Sequence, residues 1–288
     1  MVRDAAYDSL LRSRRRSLHA RIAEVIERQF SEAAEQQPDF IAHHCIEANL
    51  TTKAVSYLCA AGRRSASRSE TIEAMRQLQK GLTLIPYLPD TAERWRLELE
   101  LQSLLGAVWF ATRGPAAPET GQAYDRAKRL CEQLGDDKAL VPVLSGQSTY
   151  HLCRCELAPM KRIGEDLLRL GTEKDHAVSR MVGHSTLGFC LTYLSEFANA
   201  IDQFERTLAL YDPVAHPALH PLRPSTFEQH LWPTCPGALC FGDILTKPCP
   251  AAIRRLTGAG SCATPTCWHL PFFTPQSASS YSALMKPL

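Results

Sequence analysis

The residues that could do chemistry in this sequence are easy to find, but their spacing does not match what that chemistry needs. Cys235, Cys240, Cys249, Cys262, Cys267 and His269 put six soft or borderline metal ligands within 35 residues. A zinc site built from such a stretch starts from two thiolates in a C-x-x-C knuckle, and none is present here, so zinc is not expected. His43, His44 and Cys45 are adjacent, yet successive helical positions point about 100° apart and cannot share one ion as i, i+4 ligands do. That run reads as a buried or half-buried helix face. Arg12, Arg14, Arg15 and Arg16 form a basic cluster that on a helix could neutralise phosphates. No aromatic residues are interleaved with them, so a solvated face or a contact to another module is the simpler expectation, and nucleic-acid binding stays an alternative. Cys153 and Cys155 have no charged activator at a revealing distance, and no serine sits in a G-x-S-x-G elbow. A phosphate loop, G-x-x-x-x-G-K-[ST], is absent as well. The expected protein is therefore not an enzyme, and no catalytic, cofactor or metal residue is assigned.

The elements that would have to position any site are helices. The 288 residues are 45% hydrophobic and 22% charged with a net charge of +2, the composition of a globular chain with no overall field for nucleic acid or acidic lipid. No apolar run approaches the roughly 18 to 20 residues of a membrane span, and the first residues carry no signal segment, so a cytoplasmic protein is expected. Up to Leu222 the apolar period predicts helices over 4–34, 38–50, 52–68, 70–85, 91–113, 119–135, 138–154, 156–172, 175–195 and 197–211. Stop signals separate them at Pro38, Pro86 and Pro89, Gly114-Pro115, Gly135-Asp136-Asp137 and Asp212-Pro213. The six cysteines of this part, Cys45, Cys59, Cys131, Cys153, Cys155 and Cys190, read mostly as small hydrophobes within the apolar pattern.

These helices repeat. Gly62 falls where two helices approach closely, Ala74 where the second crosses the first, and Leu78 follows one turn later before Pro86 closes the hairpin. Leu187-Gly188, Ala200, Phe204 and Pro213 reproduce that order, with Leu194-Ser195-Glu196-Phe197 as the turn. Gly106 and Gly146 occupy equivalent first-helix positions, so glycines 62, 106, 146 and 188 recur every 40 to 44 residues. The reading is a degenerate array of tetratricopeptide-like hairpins, each leaving an apolar face for its neighbour to cover. A non-repetitive helical bundle is the alternative.

The opening YDSLLRSRRRSLHARIAEVIE and the stretch PDFIAHHCIEANLTTKAVSYLCAAGRRSASRSETIEAMRQLQKGLTLIP resemble a junction in large bacterial signalling ATPases. In that family an ATPase module is followed by a winged-helix segment and a tetratricopeptide array, often behind a class III adenylate or guanylate cyclase domain or with a LuxR-type regulator. The resemblance covers about residues 2–222, including the later LELELQSLLGAVWFATRG. It implies that 1–50 ends a winged-helix or linker region, that 51–222 is the repeat array, and that this chain is a piece of a longer protein. Its partners would be the parent's ATPase module in cis and a protein or peptide segment. The runner-up reading is the parent's own activity, as an adenylate cyclase or ATP-binding transcriptional regulator.

Residues 223–288 differ in kind. They hold nine of the nineteen prolines and five of the eleven cysteines but only two acidic residues, Glu228 and Asp243. Continuous helix is excluded, and an irregular, disordered tail is expected. Pairing the third base of each codon with the first two of the next restores helical repeat sequence: Gly242 to Cys249 permits G-Y-P-D-Q-A-L. Cys267-Trp268 can then encode only leucine, and Trp268-His269 and Trp232-Pro233 only alanine. The tail is therefore expected to be out of frame from near Leu222 to Ser225.

Overall fold

The computed structural model describes residues 11–212, and every regular element among them is a helix. In order these are α1 (Arg12–Gln29), α2 (Ser31–Gln36), α3 (Pro38–Glu47), α4 (Thr51–Ser67), α5 (Thr71–Leu84), a 3-10 turn at Ile85–Tyr87, α6 (Ala92–Arg113), α7 (Pro118–Leu134), α8 (Asp137–Cys153), α9 (Leu157–Glu173), α10 (Ala177–Tyr193) and α11 (Phe197–Leu210). The irregular tail and its cysteines lie outside the described residues, as does the start of the helix expected over 4–34.

Local chemistry explains the helix ends. Pro38 and Pro118 open α3 and α7, where a missing N–H costs nothing because first-turn donors have no intrahelical acceptor. The Thr91 hydroxyl accepts from the Arg94 N–H to cap α6, and the Asp136 carboxylate accepts from the Ala139 N–H to cap α8. One expectation needs correcting. The helix read as continuous over 4–34 breaks at Phe30, whose backbone takes φ −133° and ψ 47°. The break lets Ala34 of α2 join Ala23, Ile41, Cys45 and Ala54 in one buried cluster.

Six connections end in the same way. Asn49, Ser69, Gly135, Cys155, Asp175 and Ser195 take left-handed φ angles of 49° to 63°, and 135, 155, 175 and 195 are spaced at twenty residues. In each case the next N–H reaches back to a carbonyl five positions earlier, as in Glu70 to Ser65 at 2.9 Å, Glu156 to His151 at 2.9 Å and Glu196 to Leu191 at 2.9 Å. This Schellman closure satisfies the last free carbonyls of one helix while reversing the chain into the next.

The helices pack mainly as sequence neighbours. Contacts also join α4 to α6, α6 to α8 and α8 to α10, so the first helices of successive hairpins touch one another. The core is passed along in the same manner. One cluster joins α4, α5 and α6 through Val55, Cys59, Ala74, Leu78, Leu101 and Leu105; a second joins α6, α7 and α8; a third joins α8, α9 and α10 through Val141, Leu144, Ile163, Leu167 and Val182. Each hairpin thus buries its apolar face against the following one, and no single helix carries a closed core of its own.

Candidate functional site

The residues singled out from the repeat pattern fall at helix contacts. A Cβ on Gly62 would stand 2.5 Å from Leu78 Cδ2, and one on Gly188 would stand 2.7 Å from Phe204 Cε1. In both hairpins a glycine of the first helix therefore meets a large side chain sixteen residues later. Ala74 and Ala200 are fully buried at the base of the second helix, and Pro86 lies in the 3-10 turn that closes α5. The two middle glycines depart from that scheme. Gly106 and Gly146 both face Tyr124, a residue of the helix after Gly106 and of the helix before Gly146. Tyr124 fills the space that a second-helix leucine or phenylalanine fills elsewhere, and its burial pushes the phenol up to about 12. Leu187 packs backwards onto Gly164 of α9, with its Cδ2 2.8 Å from where a Cβ would be.

Several close contacts carry no signal in the sequence pattern. A Cβ on Gly171 would meet the backbone nitrogen of Arg180 at 2.7 Å, and one on Gly183 would meet the Leu168 side chain at 2.9 Å and its backbone nitrogen at 3.0 Å. Here α9 and α10 approach almost backbone to backbone. Arg180 closes the same turn by donating to the Gly171 carbonyl and the Asp175 carboxylate, both at 2.9 Å. Between α6 and α7, Arg126 makes a forked pair with Glu98 at 2.6 and 2.9 Å, with Glu98 buried. The fork satisfies both carboxylate oxygens, which is what makes a buried charge tolerable.

The α1–α3 end is chemically different. His19 and His44 are buried and share a hydrogen bond between their Nδ1 atoms at 2.8 Å. One ring must donate and the other accept, so the accepting ring is neutral and the pair cannot hold two charged imidazoliums, while Nε2 of His44 is buried with no partner among the described residues. Burial lowers both histidines below their ordinary value; His43 and Arg15 add to the lowering at His19, and Glu47 opposes it. The sequence placed His43, His44 and Cys45 on one buried or half-buried face. The structure separates them: His44 and Cys45 are buried, and His43 is exposed. Sequence reasoning missed His19 because its partner lies 25 residues away on another helix. On the outer side of α1, Arg12, Arg14 and Arg16 are exposed, and so are Leu18, Ile22 and Val25.

The other chemical candidates find structural roles or none. Cys45, Cys59, Cys131 and Cys190 are buried as the pattern suggested, and burial raises all four thiols, Cys45 and Cys131 to about 11, where the thiolate is scarce. Cys153 and Cys155 are exposed rather than packed, because they flank the α8–α9 turn. Among the described residues no group of three or more histidine, cysteine, aspartate or glutamate side chains could hold a metal ion. None of the described helices is long and apolar enough to cross a membrane.

No known protein family matches the chain. It is similar to an uncharacterized protein of Rhizobium meliloti (strain 1021), 27% identical over 133 residues, which are 46% of this chain. That stretch spans only 13% of the relative's length.

Proposed function

We propose that residues 51–222 form a tetratricopeptide-like hairpin array that works as a non-catalytic scaffold or sensing arm for protein–protein interaction. In this reading 1–50 is the end of a winged-helix or linker segment, and 223–288 is read out of frame. The arm would belong to a longer signalling protein in which an ATPase module in cis is one partner and a protein or peptide segment the other. The observation that carries the reading is the row of contacts from α4 to α6, α6 to α8 and α8 to α10. A non-repetitive bundle closes its core by bringing distant helices together; an array lines up its first helices and leaves their outer face free along the row. The left-handed turns at twenty-residue spacing support the same reading, because they give successive hairpins one geometry. The far smaller share of the relative that is matched agrees with an arm borne by a larger protein.

The test is to pan a random peptide-display library against the full chain and map the selected peptides by hydrogen exchange. Selected peptides are expected to protect amides of α4, α6, α8 and α10, and ATP with magnesium is expected to give no saturable binding. Saturable ATP binding, or peptides that leave those four helices unprotected, would contradict the proposal.

A further inference from the structure

The outer face of α1 carries exposed apolar residues in a line edged by arginines. At about 100° per residue, Leu18, Ile22 and Val25 fall within a sector of about 60°, with Leu11 two turns earlier on the same line. The adjoining sector of the helix, at His19 and Ala23, is buried against α3 and its neighbours. Arg14, Arg21 and Arg28 run along one edge of the apolar line at seven-residue spacing, and Arg15 stands on the other edge. Arg14 and Arg21 make no ion pair among the described residues, while Arg28 pairs with Glu24 one turn back at 2.8 Å. Leucine or valine at 11, 18 and 25 with arginine at 14, 21 and 28 is a heptad seam in which cations take the positions beside the apolar line.

We propose that this seam docks an acidic amphipathic helix of a partner protein, apolar residues against Leu11, Leu18, Ile22 and Val25 and carboxylates against the arginines. This surface is separate from the array and stands whether or not the array reading holds. Charge decides among the possible occupants. A second copy of the chain would set arginine rows against each other. The segment 223–288 supplies only Glu228 and Asp243 against five basic residues, so it has no acidic face to set against Arg14, Arg21 and Arg28. A bilayer is answered by shape along most of the line: Leu18, Ile22 and Val25 are 44%, 40% and 36% exposed and form a floor between longer arginine side chains, while Leu11 at the helix start, 76% exposed, stands clear of it. Such a floor receives the ridge of another helix, whereas interfacial insertion requires an apolar face that protrudes. Arginine in place of lysine throughout the seam suits forked contacts to carboxylates.

The probe is a synthetic helix of about three heptads with leucine at a and d and glutamate at e and g, paired with a counterpart carrying lysine at e and g. Fluorescence anisotropy with the full chain is expected to show saturable binding of the glutamate helix and at least about tenfold weaker binding of the lysine helix. A variant carrying Arg14→Glu, Arg21→Glu and Arg28→Glu should reverse that preference, and Leu18→Glu should weaken the glutamate helix by about tenfold. All four positions are exposed, and far-ultraviolet circular dichroism checks that the variants fold; if one does not, the preference of the unaltered chain still decides. Equal binding of the two helices would overturn the proposal. So would tighter binding to phosphatidylserine vesicles or to duplex DNA than to the glutamate helix.

Discussion

Between α4 and α11 the helices meet through glycines set against larger side chains, whereas α1 and α3 also meet through a buried pair of histidines beside the cluster of Ala23, Ile41 and Cys45. Gly62 on Leu78 and Gly188 on Phe204 let two backbones approach without leaving any polar atom to satisfy. The histidine pair brings polar atoms into the interior and leaves Nε2 of His44 without a partner. The first arrangement depends on shape and responds to volume. The second depends on protonation state and responds to acid. On its outer surface α1 carries an apolar line edged by arginines.

Four perturbations test that contrast, beginning with the one expected to cost most. Gly171→Ala places a methyl against the backbone nitrogen of Arg180, which cannot swing aside as a side chain could. A loss of about 2–3 kcal/mol is expected in urea unfolding. Arg126→Ala strips the buried Glu98 of both hydrogen bonds it accepts from that one guanidinium and should cost about 2 kcal/mol, with Arg126→Lys restoring only part because an ammonium cannot fork. Acid should act at the other end of the chain. The ordinary histidine value is 6.5 and both folded values lie below it, so the unfolded chain binds protons first. Stability contributed by the pair is therefore complete above about pH 6.5 and is lost as pH falls from there toward the lowered folded values. Hydrogen exchange at pH 7.5 and 5.5 should show α1 and α3 loosening while α9 and α10 hold, and replacing both His19 and His44 by leucine should flatten the response. The smallest effect is a gain. Cys155→Gly or Ser195→Gly relieves a left-handed φ of 57° or 62° and should stabilise the fold by about 0.5–1 kcal/mol, read as a rise in Tm.

The sequence made the helices legible because their apolar period is strong and their stops are proline and glycine. From α3 onward, the expected boundaries fall within three residues of the observed ones. The turns were harder to read. Asn49, Ser69, Cys155, Asp175 and Ser195 adopt a conformation that glycine usually signals, and only Gly135 announced it. The twenty-residue rhythm was therefore visible only as the looser spacing of the glycines at 62, 106, 146 and 188. The break at Phe30 could not be read from periodicity, because the helical pattern continues through Ser31 to Gln36 and burial of Ala34 decides the bend. His19 against His44 and Gly171 against Arg180 belong to the same class, since they are set by how two helices cross and not by the order of residues along either one.

The central claim is that α4–α11 form an array in which each hairpin answers chiefly to its neighbours. Native-state hydrogen exchange on the full chain carrying Gly188→Ala tests it most directly, because the added methyl collides with Phe204 at one end of the row. An array predicts faster exchange in α10 and α11, a weaker effect in α9 and no change in α4 and α5. A uniform rise in exchange from α4 to α11 would show a single cooperative core and contradict the account.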